Sequence, residues 1–222
     1  MTKYLLFILL AAASFQALHP QFHIARLKYN GGGDWYNDPS ADVNLMRFVT
    51  QETGIPAKSE FIFTDIATDA IFAHPFLFMT GHGTISFSAD EAARLRKYLE
   101  NGGFLYVDDD YGMDKSFRRE IAKVLPGAQL LELPYSHPLF TIFFDFSSGP
   151  PKTHKHDEQL PQVFGIFLGE RLAVLYTYEM NPSDGWADAV VHNNPEEKRL
   201  EALKFGTNIV LFALSQMPPK GS

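Results

Sequence analysis

Three adjacent aspartates, Asp108, Asp109 and Asp110, followed by Tyr111 and Gly112, are the densest concentration of chemistry in this sequence. Neighbouring carboxylates repel one another, which raises at least one pKa and makes the group attractive to a cation. On an extended segment Asp108 and Asp110 point one way and Asp109 the other. The bland alternative has one aspartate capping a helix, one paired with Lys115, Arg118 or Arg119, and one in solvent. His82, between Gly81 and Gly83, is the second candidate, because glycines let a backbone close on a ligand or take positive φ. In a hydrolytic scheme Asp108 and Asp110, with His137 or Glu179, hold a divalent metal. The metal acidifies a bound water, and Asp109 or His82 accepts its proton.

Three further groups carry potential. Asp34-Trp35-Tyr36 sets an aromatic platform beside a carboxylate, a composition suited to sugars and other amphipathic ligands. His154-Lys155-His156-Asp157 has His-x-His spacing, which can hold zinc or copper with a third ligand from elsewhere; a solvated pair is the commoner outcome in a polar loop. Glu179, Asp184, Trp186, Asp188, His192 and Asn193 form a polar stretch that could fold over the same edge as a lid.

Several sharper chemistries are missing. The chain has no cysteine, which removes disulfides, thiolate metal sites and cysteine nucleophiles. It has no Gly-x-x-x-x-Gly-Lys-Ser/Thr loop, no Gly-x-Ser-x-Gly elbow and no His-Glu-x-x-His, and its Gly31-Gly32-Gly33 lacks dinucleotide spacing. With 19 basic against 26 acidic residues, net −7, it lacks the basic balance of a nucleic-acid binder. Its 222 residues, 45% hydrophobic and 14% aromatic, are enough to bury a sizeable core.

The elements that must position these residues read as alternating strands and helices. Phe22–Tyr29 is a first strand, Ala41–Glu52 a helix stopped by Gly54, and Phe61–Phe63 a short strand. Phe76–Met79 and Phe104–Val107 are continuous apolar runs, as in strands covered on both faces. Between them Ser88-Ala89-Asp90-Glu91 is a capping box that opens a helix with Ala92, Leu95 and Leu99 on one face. A third helix follows Asp114, with Phe117, Ile121, Val124 and Leu125 inward. Val163–Phe167 and Arg171–Tyr176 flank Leu168-Gly169-Glu170 as a hairpin, after a loop over 147–161. The last helix starts at Pro195, with Leu200, Leu203, Thr207, Val210, Leu211 and Leu214 as its inner face. The expectation is one three-layer α/β domain over 22–216, flavodoxin-like or glutamine amidotransferase-like, with a mainly parallel sheet, helices on both faces, and a C-terminal hairpin and helix. The strand-end clusters would then share the carboxyl edge, where open parallel sheets bind ligands.

The termini point to a compartment. Lys3, the apolar run Tyr4–Leu10 and Ala11-Ala12-Ala13-Ser14 are the parts of a secretory signal peptide, expected over residues 1–17. The run is shorter than the roughly 20 residues of a transmembrane helix. The mature protein is expected to be exported, periplasmic or extracellular, without a membrane anchor, and to end in a flexible tail at 217–222.

Arg26–Pro39, Phe78–Gly83, Asp108–Glu120, Asp184–Trp186 and Val191–Asn194 together resemble a bacterial family, the domain of unknown function family 4159. The resemblance covers nearly the whole mature chain. It implies a fold similar to class I glutamine amidotransferases and the trehalose-utilisation-like proteins, but no activity. Those enzymes carry a cysteine on the turn after a central strand. Here the comparable turn, Tyr106–Asp114, offers aspartate and tyrosine, so glutaminase chemistry by that route is excluded. The expectation is therefore a binding domain for a small polar, carbohydrate-like ligand, using Asp34, Trp35, Tyr36, His82, Asp108, Asp109, Asp110, Tyr111 and Trp186. The alternatives are the metal-dependent hydrolase above and a scaffold that binds an envelope protein.

Overall fold

Apolar residues in the strands alternate between two faces, and each face has its own helices. In the computed structural model, which describes residues 21–154, 156 and 159–217, seven strands form one sheet. They are β1 (Ala25–Lys28), β2 (Phe63–Asp65), β3 (Phe76–His82), β4 (Phe104–Tyr111), β5 (Leu131–Glu132), β6 (Gln162–Leu168) and β7 (Arg171–Tyr178), in the order β2-β1-β3-β4-β7-β6-β5. Strands β2, β1, β3, β4 and β7 run parallel, and β6 is antiparallel to both β7 and β5. The fold is α/β with a mostly parallel sheet, as its alternation implies. The expected leader at 1–17 lies outside the described residues, as do 218–222 and, within the 147–161 loop, Lys155, Asp157 and Glu158.

Six helices complete the layers: α1 (Pro39–Thr53), α2 (Ala89–Glu100), α3 (Asp114–Val124), α4 (Pro182–Trp186), α5 (Ala189–His192) and α6 (Glu196–Ser215). Phe76, Phe78 and Tyr106 point to one face, where they meet Leu45, Trp186 and Phe205 from α1, α4 and α6. Leu77, Met79, Leu105 and Val107 point to the other, against Leu95, Leu99, Phe117 and Ile121 from α2 and α3. Local signals set the helix ends. Ser88 and Glu91 form the reciprocal capping box, and Gly54 ends α1 at φ 72°.

Three boundaries move. Strand β1 starts three residues after the expected Phe22, because Phe22 forms only an isolated bridge with Ala57. Phe61 and Ile62 precede β2 instead of forming it. On α6 the buried set is Ala202, Leu203, Phe205, Gly206, Thr207, Asn208, Ile209, Val210 and Ala213, while Leu200 is exposed. This helix is covered on more than one side, so a single-stripe reading misplaces its inner face. The hairpin is not an appendage: β7 enters the sheet beside β4, with Leu105 opposite Val174 and Asp108 opposite Thr177.

One buried charge ties this frame together. Arg26 and Asp42 are both fully buried, and the guanidinium Nη2 donates to Asp42 Oδ1 at 2.7 Å, joining β1 to α1. Arg26 Nη1 donates to the carbonyls of Trp35 at 3.0 Å and Asn37 at 2.9 Å, and the guanidinium stacks 4.7 Å from the centre of the Phe78 ring. Removing one partner of such a pair leaves an uncompensated charge in the core. Arg26→Met is expected to cost roughly 3–5 kcal/mol by urea denaturation, with Asp42→Leu in the same chain recovering much of the loss. A single variant within 1 kcal/mol or so of wild type would show that the pair carries no such weight.

Candidate functional site

The sheet changes winding direction between β1 and β3. From β1 the chain crosses to β2 on one side; from β3 it proceeds to β4 on the other. The crevice outside the carboxyl ends at such a point is where open α/β sheets bind ligands, and the loop after β1 closes on it. Gly33 N–H donates to Thr84 O at 3.0 Å, and Ser86 N–H to Asn30 O at 2.7 Å. Gly81 takes φ 143°, and a Cβ there would stand 2.6 Å from the Tyr29 hydroxyl and 2.9 Å from Asp34 Oδ1, so the approach requires glycine.

That approach brings Asp34 onto His82. Asp34 Oδ1 accepts the His82 backbone N–H at 2.5 Å, and Oδ2 lies 3.1 Å from His82 Nδ1. Asp110 Oδ2 lies 3.3 Å from the same nitrogen. The expected neighbourhood of His82 and the aspartates is therefore present, with Asp34 joining it.

The aspartates divide as extended backbone dictates. Asp108 and Asp110 face α4, and Asp109 faces α3. Asp109 Oδ1 and Oδ2 accept the backbone N–H groups of Met113 at 2.9 Å and Asp114 at 3.0 Å, and Tyr176 Oη donates to Oδ2 at 3.3 Å. Burial raises its pKa against these bonds. Its oxygens hold the turn into α3, a structural task where the sequence pointed to a proton acceptor.

Asp108 accepts from Thr177 Oγ1 at 2.6 Å, from the Ser183 N–H at 2.9 Å and from Ser183 Oγ at 2.6 Å. Its complete burial pushes the pKa up to about 7 despite those bonds. Asp110 accepts from Asn37 Nδ2 at 2.5 Å and Asn181 Nδ2 at 3.0 Å. Burial, then the charges of Asp184 and Asp108, push its pKa up to about 9. Asp184 is buried beside it, yet its pKa is lowered, because His154 and His192 outweigh the desolvation. The two neighbouring carboxyls are thus pushed in opposite directions, Asp110 up and Asp184 down.

A second arm extends from Asp184. His154 Nδ1 is 2.5 Å from Asp184 Oδ2, and His192 Nε2 is 2.6 Å from Asp38 Oδ2 and 3.6 Å from Asp184 Oδ1. The hydrogen bond to Asp184 raises the His154 pKa. The stretch after the hairpin does fold over the carboxyl edge, bringing Asp184 and His192 with it. The His-x-His pair divides: His154 joins Asp184, whereas His156 lies against Tyr111 with ring centres 4.7 Å apart.

Other expected residues stand elsewhere. Trp186 is core, 1% exposed, packed on Phe78 and Tyr106 with Nε1 donating to Ala202 O at 2.8 Å. Trp35 and Tyr36 lean toward β2, with Trp35 5.3 Å from Phe63, so β1 and β3 separate them from Tyr111 on β4. His137 packs on Phe167 and Phe212 near the far end of the hairpin, away from the aspartates it was expected to join. Glu179 is buried beside Lys152, at 3.5 Å.

Asn37 and Asp38 lie in the polar strand-end stretch 31–38 without having been singled out in it, and Asn181 escaped the sequence reading. Asp38 and Asn181 each precede a proline and adopt left-handed φ, 45° and 43°. The available signal was an Asx-Pro dipeptide opening a helix after a strand.

Beside the cluster, a cavity of about 320 Å³ lies over the ends of β4 and β7, lined by Asp109, Tyr111, Asp114, Lys115, His156 and Tyr178, among others. A larger groove of about 730 Å³ lies around Phe22, Ile55, Phe72, Pro75 and Leu214, and is mostly apolar. The smaller one is lined by charged and polar side chains, Asp109, Asp114, Lys115, His156 and Glu179 among them, and stands beside the histidine–carboxylate network without including it.

A mostly parallel α/β domain with a histidine–carboxylate network at the switch point of its sheet is the class that these observations define. Residues 23–214 match the family described as Domain of unknown function (DUF4159), and the chain belongs to it. No curated protein matches the chain. Among the described residues, no helix is long and apolar enough to cross a membrane.

The raised pKa of Asp108 has a testable consequence. Between its ordinary value of 3.8 and about 7 the folded protein keeps a proton that the unfolded chain releases. Stability from this group is therefore full below about pH 4 and is lost as pH rises to about 7, by roughly 4 kcal/mol. Urea denaturation across that range should show Asp108→Asn with a flatter profile than wild type and relatively greater stability at pH 8. Parallel profiles would mean that Asp108 ionises normally in the fold.

Proposed function

We propose that this domain binds a small polar, carbohydrate-like ligand in the cavity over β4 and β7. The observation that carries the reading is its lining: a tilted Tyr111–His156 ring pair and Tyr178 supply flat faces, with Asp114, Lys115 and Glu179 close by for hydroxyl groups. A volume of about 320 Å³ fits one small ligand, at the lower end of the usual range. Aromatic faces combined with a few fixed polar groups match the mixed surface of a sugar ring. In the floor, Asp109 has both oxygens engaged by the backbone N–H groups of Met113 and Asp114, so the floor is rigid.

The reading includes an amidotransferase-like shape without its nucleophile, supported by the β4–turn–α3 unit, which offers aspartate and tyrosine where those enzymes carry a cysteine. It also includes export, supported by the pattern from Lys3 to Ser14.

Ligand-observed NMR against a panel of mono- and disaccharides tests it. At least one saccharide should show saturation transfer, with Tyr111→Ala abolishing it and Lys115→Ala weakening it about tenfold, which corresponds to about 1.4 kcal/mol. Tyr111 is 52% exposed, so its variant should unfold within about 0.5 kcal/mol of wild type. No response across the panel, or responses unchanged in both variants, would overturn the proposal.

A further inference from the structure

We infer that His154, Asp184 and His192 form a binding site for one first-row divalent cation of the zinc class, with Asp38 at its edge. The donor atoms, His154 Nδ1, a carboxylate oxygen of Asp184 and His192 Nε2, all lie within 4.8 Å of one another. They come from three separate segments, the 147–161 loop, α4 and α5, so the fold assembles them. Two imidazoles and a carboxylate suit zinc, cobalt, nickel or copper; calcium and magnesium prefer all-oxygen sites.

Two independent observations point into this space. Asp184 has a side chain 2% exposed, and its Oδ1 has no hydrogen-bond partner. His192 Nε2 is the ring nitrogen facing that oxygen, at 3.6 Å, too far for a hydrogen bond. A buried carboxylate oxygen without a partner is costly, and a cation between it and the imidazole would satisfy it, with His192 Nε2 exchanging its 2.6 Å contact with Asp38 Oδ2 for the metal.

The second observation is the orientation of His154. Asn194 Nδ2 donates to the backbone carbonyl of Asp184 at 3.4 Å, which turns Asn194 Oδ1 toward His154 Nε2 at 2.9 Å. The His154 Nε2–H therefore donates to an amide oxygen, and Nδ1 is presented to Asp184. Metal-bound histidines are commonly oriented in this way through their remote N–H.

Dimensions agree. Donors on a tetrahedral zinc with bonds near 2.1 Å stand roughly 3.4 Å apart. The separation of 3.6 Å between His192 Nε2 and Asp184 Oδ1 is close to that; His154 Nδ1 stands 2.5 Å from the other oxygen, Oδ2, and meets a shared cation by opening about 1 Å, within side-chain rotation. His154 and His192 retain 30% and 21% side-chain exposure, which gives a cation a path in from solvent and leaves room for a water ligand.

The site does not depend on the saccharide reading, and each can fail alone. The test uses the full mature chain, purified without affinity nickel and dialysed against chelator. Calorimetric titration with Zn²⁺ should give one ion per chain, and Co²⁺ should give visible d–d absorption. Histidine-ring ¹⁵N spectra of the wild type should shift at His154 Nδ1 and His192 Nε2 when Zn²⁺ is added. The His154→Gln/His192→Gln variant should weaken Zn²⁺ by roughly 100-fold or more, with circular dichroism verifying the fold, whereas His137→Gln should leave affinity unchanged. A wild type that takes up no stoichiometric Zn²⁺, ring shifts confined to other histidines, or tight binding that survives the double substitution would each overturn the inference. The ring spectra decide the matter even if the double variant does not fold.

Discussion

The buried guanidinium of Arg26 is the constraint on which the carboxyl edge depends. Desolvating it together with Asp42 is expensive, and the pair is tolerable only because Nη1 also finds the carbonyls of Trp35 and Asn37. The same bonds that satisfy the charge fix the path of a glycine-rich loop with little apolar content of its own. From Asn37 the network continues through its amide to Asp110, from Asp110 to the Asn181 amide, and from Asn181 Nδ2 toward Asp184 at 3.5 Å. Core packing under β1 is thereby linked to the carboxylates of the site by an unbroken series of polar contacts.

That network concentrates acid groups where water is scarce. Asp108, Asp110 and Asp184 are almost fully buried on one side of the sheet. Burial and the neighbouring carboxyls push the Asp110 pKa up, while the histidines beside Asp184 hold that carboxyl down. A guanidinium builds the frame, whereas imidazoles, His82, His154 and His192, stand against the acidic edge.

Much of this was legible from residue types. Strand and helix alternation, the Ser88–Glu91 box and the Gly54 stop are local effects, and they appear as read. The two-residue period of a strand correctly separated Asp109 from Asp108 and Asp110, and topology correctly placed His82 near them. The failures arise where distant segments decide. Nothing local to Trp186 reveals that α6 covers it, and nothing in the His154–His156 spacing shows one ring turned to Asp184 and the other to Tyr111. Arg26, one charge in an otherwise ordinary strand, gave no sign of being buried.

The two Asx-Pro turns explain why the site residues missed by pattern reading are of these types. Proline disfavours helical backbone in the residue before it, yet Asp38 and Asn181 both sit in the left-handed region at the first turn of a helix. Asp and Asn tolerate that region better than other non-glycine residues, but the conformation still costs about 1–3 kcal/mol. Each is also the N-cap of its helix, and neither side chain caps it. A capping bond worth about 1 kcal/mol is given up at each turn. In its place, Asp38 turns to His192 and Asn181 to Asp110. Stability forgone twice, in the same way, at two turns facing one cluster is what selection on side-chain direction would leave, because helix initiation alone favours the opposite choice at both positions.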